Sequence, residues 1–105
     1  MIILPIPLPM ETSMRRVTDY HLIPDHMMKS MINYADHHFP VGDFLKAIIC
    51  NDLTEAIRRA DDTNLWIIPI YVTWFYNEVP GGAWKSKKAY DYWLSLRLIK
   101  PENSQ

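Results

Sequence analysis

Few residues in this 105-residue chain have types suited to chemistry. The single cysteine, Cys50, stands beside Asn51 and Asp52 and would need a distant histidine to act as a thiol nucleophile. It follows Ile48 and Ile49 in an apolar helical run, where cysteine more often serves as a small buried hydrophobe. The histidines are His21, His26, His37 and His38. His37 and His38 are adjacent, which turns them about 100° apart on a helix, and no pair has the i, i+4 spacing of a helical zinc site. His21, Asp25 and His26 form a weak grouping that capping and surface roles explain better. The carboxylates Asp61-Asp62 read as a helix start rather than an acid–base dyad. Gly42, Gly81 and Gly82 build no phosphate loop. The expectation is a chain with no catalytic residue, no metal and no cofactor.

Binding residues are better represented. Residues 44–60 can be drawn as a helix-turn-helix, but the second helix mixes Asp52, Glu55 and Asp61 with Arg58 and Arg59. A recognition helix needs a basic footprint to neutralise phosphates. Lys85, Lys87, Lys88 and Arg97, with Trp84 and Tyr92, make a better patch in which aromatics could stack bases. A solvated helix face accounts for the same lysines. Tyr76-Asn77-Glu78 is harder to explain. A helix end needs neither that Asn nor that Glu, and Glu there opposes the dipole. Either these side chains bond a neighbouring loop such as Asn51-Asp52, or they bind a ligand. The candidate interaction residues are therefore Tyr76, Asn77, Glu78, Trp84, Lys85, Lys87 and Lys88.

Composition narrows the partner. A net charge of -1 gives no global field towards nucleic acid or anionic lipid. Four Trp, six Tyr and six Met are a heavy endowment for this length, and large side chains left at the surface often mark partner sites. A lone cysteine suits a reducing, cytoplasmic compartment. The apolar run 65–76 is shorter than the ~20 residues a membrane span needs. Residues 1–9 are apolar but lack a basic start and carry Pro5, Pro7 and Pro9, so they do not read as a signal peptide.

These residues must be positioned by helices. Leu65, Ile68, Val72, Phe75 and Val79 make one helical stripe, and Trp66, Ile67, Ile70, Tyr71 and Trp74 fill most of the remaining circumference. A helix apolar nearly all round is buried among others, so residues 64–79 are expected to be central. Their β-branched and aromatic content also suits a strand. Length, the caps offered by residues 61–64 and the lack of a partner strand favour helix. Pro69 predicts a kink, or a true start nearer Ile68.

Around this element the spacing predicts four more helices. The first covers residues 24–38, with Met27, Met31, Tyr34 and His38 on its buried face. The second runs from Phe44 to about Cys50, capped by Asp43. The third starts at Asp52, burying Leu53, Ala56, Ile57 and Ala60, with Glu55 paired to Arg58 and Arg59. The last is capped by Ser86 and runs to about Leu98. The expected fold is an all-α, bundle-like domain over residues 23–100. An extended proline-rich arm and linker (1–22) precede it, and a disordered tail (101–105) follows.

The run Ile23-Pro24-Asp25-His26-Met27-Met28, then Tyr34, Pro40-x-Gly42-x-Phe44-Leu45-x-Ala47, Asn51-Asp52-Leu53, Ala60-Asp61-Asp62-x-Asn64, Tyr76-Asn77-Glu78-Val79-Pro80 and Trp84-x-Ser86 resembles a family of small proteins carried by bacteriophages, prophages and their bacterial hosts. The likeness covers about residues 23–93; the proline-rich arm and Pro69 depart from the pattern. It implies a phage context and a helical fold, and no catalytic residue. The resulting expectation is a non-catalytic module that binds a host or phage protein, for example as an inhibitor of a host factor. The arm and spare aromatics also suit a homodimer. The alternative is a nucleic-acid-associated accessory protein.

Overall fold

The sequence punctuation described above sets the helix ends in the computed structural model, which describes residues 17–99. The proline-rich arm before Val17 and the tail after Ile99 lie outside the described residues. The chain is all-α. Among the described residues there are six α-helices: α1 (Asp25–His37), α2 (Asp43–Ile49), α3 (Leu53–Arg59), α4 (Asp62–Trp66), α5 (Ile68–Glu78) and α6 (Lys87–Ile99). Two short 3-10 helices, Val17–Leu22 and Gly81–Ala83, join them. The first replaces part of the linker expected over residues 1–22.

Pro24, extended at ψ 144°, launches α1, and His38 in the left-handed region at φ 61° ends it. Asn51 closes α2 in the same region, at φ 62°. Its N–H donates to the Ile48 carbonyl and that of Asp52 to the Ala47 carbonyl, the paired bonds of a Schellman stop. Asp52 then accepts from the Glu55 N–H at 3.2 Å and opens α3. One dipeptide thus both stops one helix and starts the next, which folds α2 and α3 into a tight hairpin. Asp43 is not the cap of α2: it sits inside the first turn, after Gly42, and its carboxylate meets Arg59 at 3.2 Å.

The stretch expected as one central helix is two. Asp61 accepts from the Asn64 N–H at 2.8 Å and starts α4, which stops after Trp66. Ile67 leaves helical geometry at φ -113°, and α5 begins at Ile68 with Pro69 in its first turn. There a missing N–H breaks no bond. The start near Ile68 is the second of the two outcomes that Pro69 predicts. Asn64 is no cap; it is buried and accepts a 2.6 Å bond from the Tyr71 hydroxyl.

Helix α5 is the buried centre. Ile68, Ile70, Tyr71, Thr73, Trp74 and Phe75 are all inside. The Tyr71 ring meets Phe44 edge-on at 5.1 Å, and Phe75 stacks on Trp84 at 5.8 Å. Tyr34 of α1 stacks on Tyr90 of α6 at 5.5 Å. The burial expected at four other positions does not occur. Trp66 is 82% exposed and Leu65 is also at the surface, because the break at Ile67 turns α4 off the axis of α5. Leu53 and Ile57 are 63% and 48% exposed; on α3 only Ala56 is fully covered.

Candidate functional site

Residues expected at the interaction site separate into three places. At the C-terminal end of α5, Asn77 and Glu78 engage the Val17–Leu22 turn. The Asn77 amide donates to the Tyr20 hydroxyl at 3.3 Å, and that hydroxyl donates to Glu78 at 3.2 Å. Partial burial raises the Tyr20 pKa, the Asn77 bond lowers it, and the adjacent Glu78 charge raises it again, so the hydroxyl stays protonated and keeps donating. The expected neighbour for these side chains was the Asn51-Asp52 loop. The partner is Tyr20, more than fifty residues earlier in the chain. Glu78 opposes the helix dipole but holds the entering segment onto α5.

Tyr76, Trp84 and Lys85 do come together. The Lys85 ammonium lies 5.7 Å from the Tyr76 ring centre and 5.4 Å from that of Trp84. Lys85 is held there by its backbone, at φ 87°, with its N–H donated to the Ile49 carbonyl at 2.6 Å. Trp84 itself is only 7% exposed and packed on Phe75. Its ring is a core plate, so it cannot stack a base in this conformation, which corrects its place among the candidate stacking residues.

Lys87 faces elsewhere. It pairs with Asp91 at 2.8 Å and lines a cleft of about 310 Å³ that also contains Asp43, Lys46, Cys50, Asp52, Glu55 and Arg59. Lys88, the next residue, is exposed. The cleft mixes three cations with three carboxylates and one thiol, and no histidine lines it. Burial pushes the Cys50 thiol up, with only partial relief from Lys46 and Lys87, so at neutral pH it is a protonated thiol and a poor nucleophile. Glu55 lies at the rim between Arg58 and Arg59, at 3.1 and 2.7 Å, which lower its carboxyl to about 2. Among the described residues, no group of three or more histidine, cysteine or acidic side chains converges on a metal position. His21, Asp25 and His26 form no such group.

The surface missed by sequence reading is apolar. Leu53, Ala56, Ile68 and Val72 line a small hollow together with Ala47, Ile48, Asn51 and Asp52 of α2 and the turn after it. Leu53 and Ile57 on α3, and Leu65 and Trp66 on α4, leave large apolar side chains exposed. The available signal was Pro69: a restart there frees the preceding turn to point outward. Among the described residues, no helix is long and apolar enough to cross a membrane. Compared with known proteins, the chain matches no family model, no curated protein and no solved structure.

Proposed function

We propose that the chain is a small, non-catalytic helical module that binds another protein through the apolar face of α3 and α4. It is a module of the phage- or prophage-borne kind that its short motifs resemble, acting in the host cytoplasm by engaging, and in one version inhibiting, a host factor. The observation that carries the reading is Trp66, a full tryptophan ring left outside, with Leu53, Ile57 and Leu65 also exposed. Large exposed apolar side chains of this kind are enriched at protein interfaces, and tryptophan dominates their binding energy. The protonated, partly buried Cys50 supports the non-catalytic part.

The test is capture of the tagged full chain from bacterial lysate after nuclease treatment, using the wild type, Trp66→Ala, Leu53→Asp and Lys88→Ala. A defined protein retained by the wild type and Lys88→Ala but lost from the other two is the expected result. A partner indifferent to Trp66 and Leu53 counts against this face.

The nucleic-acid reading rests on Lys85, Lys88 and the exposed Tyr92 near the start of α6. It expects a salt-dependent mobility shift with single strands that Lys85→Ala/Lys88→Ala abolishes. No shift at low salt would remove it.

A further inference from the structure

We infer that the cleft between α2, α3 and the start of α6 binds a small zwitterion, an amino acid or dipeptide charged only at its two ends, with the carboxylate held by Lys46 and the ammonium by Asp52. Local chain geometry builds the cleft. The left-handed turn at Asn51 and the cap at Asp52 fold α3 back on α2. Lys46 and Cys50 are one turn apart on α2, so both line the same side. The Lys85 N–H bond to the Ile49 carbonyl ties the start of α6 to the end of α2, and Lys87 completes the lining from there. The space is about 310 Å³. That is the small end of the roughly 300–1,000 Å³ found for ligand pockets, which suits a molecule of amino-acid size rather than a nucleotide.

Most charges around this space neutralise one another. Arg59 meets Glu55 at 2.7 Å and Asp43 at 3.2 Å, and Lys87 meets Asp91 at 2.8 Å. Lys46 and Asp52 are left over, one of each sign. Neither belongs to an ion pair among the described residues. Each is engaged by a third group instead. The Lys46 ammonium lies 5.5 Å from the centre of the Tyr90 ring, and one carboxylate oxygen of Asp52 accepts the Glu55 N–H at 3.2 Å. Opposite charges are therefore held on one cleft without being paired to each other. The Cys50 thiol feels both. Burial raises its pKa, Lys46 and Lys87 pull it down, and Asp91 and Asp52 push it up again. Ala47 and Cys50 supply the uncharged part of the lining.

A zwitterion answers both leftover charges at once. A simple anion would meet Lys46 but also Asp52 and Glu55; a simple amine would meet Asp52 but also Lys46 and Lys87. Either contact alone is weakened by solvent. In a ligand carrying both charges, binding one end brings the other into range, so the two contacts reinforce each other. A charged side chain on the ligand would add a charge that only the already paired residues could meet. The site is separate from the Trp66 surface proposed for a protein partner, and Cys50 serves in it as a reporter and not as a reacting group.

The experiment uses the full chain and its single thiol. Alkylation of Cys50 by iodoacetamide is timed with L-alanine, L-serine or glycylglycine present, and with N-acetyl-L-alanine, L-alaninamide and inorganic phosphate as probes that carry charge of one sign. The zwitterions should slow alkylation severalfold and saturably. Over the same concentrations L-alanine should move the backbone amide resonances of Lys46, Cys50 and Asp52 in a ¹H–¹⁵N spectrum. Lys46→Gln and Asp52→Asn should each raise the half-saturating concentration about tenfold, the worth of one bond to a charged group. Asn caps a helix as well as Asp does, so the second variant keeps α3, and unchanged far-ultraviolet dichroism checks the fold of both. Trp66→Ala should leave half-saturation where it is, so failure of partner capture and failure of this inference are distinguishable. Absence of both protection and amide shifts with the zwitterions overturns the inference. Protection by N-acetyl-L-alanine or phosphate equal to that by L-alanine overturns it in favour of an anion site, and equal protection by L-alaninamide in favour of an amine site. Zwitterion protection that is unchanged in both folded variants also overturns it.

Discussion

Asn64 shows how one side chain can look like a cap and serve as an anchor. It falls in the run Asp61-Asp62-Thr63-Asn64, where any of four residues could cap, and Asp61 takes that role. Asn64 is left one turn inside, facing the core, where its carbonyl accepts from the Tyr71 hydroxyl at 2.6 Å. Burial raises the Tyr71 pKa, so that hydroxyl remains a donor at every working pH. Asn64→Ala should leave it buried without its acceptor and cost about 1–3 kcal/mol in urea unfolding. Asn64→Asp, which keeps an acceptor oxygen, should recover part of the loss; equal loss in both would show that the bond is not the cause. Glu55 carries a pH prediction. Its folded pKa of about 2 lies below the ordinary 4.5, so its contribution is fully present above 4.5 and lost as pH falls through 2. The Tm difference between wild type and Glu55→Gln should therefore close between these values. Because the pairs are exposed, the difference should be small and should shrink in salt. A difference that persists below pH 2 would assign it to something other than the charge.

The element scale explains what was legible and what was not. Most helix starts and stops were readable because they rest on local chemistry: Pro24, Asn51-Asp52, Asp61 and Ser86 each act within four residues of themselves, whereas Asp43 looked like a cap and lies inside the first turn of α2. Ser86, for example, accepts from the Ala89 N–H at 3.0 Å. The burial of α5 was readable because its apolar residues leave no polar face. The outward faces were not. Leu53 and Ile57 have the same spacing as a core stripe, and whether a stripe is covered depends on which element lies over it. Helix α2 covers Ala56, and Leu53 is left outside. The segment that Asn77 bonds was out of reach for the same reason, since Tyr20, fifty-seven positions away, supplies the partner in place of the Asn51-Asp52 loop. Pro69 sits between the two kinds of information, and its substitution separates the two readings of the central stretch. In a helix interior, Pro→Ala would stabilise by about 3 kcal/mol. In the first turn of α5 the fixed φ of proline is already native, so Pro69→Ala should destabilise by about 0.4–1 kcal/mol through the unfolded chain. A rise in urea midpoint would mean that α4 and α5 are a single strained helix.

At the scale of the whole molecule, mostly local helices must be joined into one cooperative unit by a few contacts distant in sequence. Tyr34 gathers three of them. Its hydroxyl donates to the Ala83 carbonyl at 2.7 Å, its own carbonyl accepts from the Trp93 indole at 2.8 Å, and its ring stacks on Tyr90. Through that single residue α1 grips both the Gly81–Ala83 turn and α6. The hydroxyl and the ring can be separated by substitution. Tyr34→Phe keeps the stacking and leaves the buried Ala83 carbonyl without its donor, which should cost about 1–3 kcal/mol while unfolding stays two-state. Tyr34→Ala also removes a large, fully buried ring and should cost about 3–5 kcal/mol by analogy with other aromatic truncations. If Tyr34 is the joint that holds α6, the second variant should also lose coincidence between probes. With Trp66 and Trp74 replaced by Phe in both chains, so that fluorescence reports Trp84 and Trp93 alone, the emission should change at lower urea than far-ultraviolet dichroism, because α6 undocks before α2, α3 and α5 unfold. Coincident transitions in Tyr34→Ala would instead mean that Lys85, whose N–H meets the Ile49 carbonyl at 2.6 Å, and the Phe75–Trp84 stack are enough to hold the C-terminal third in place.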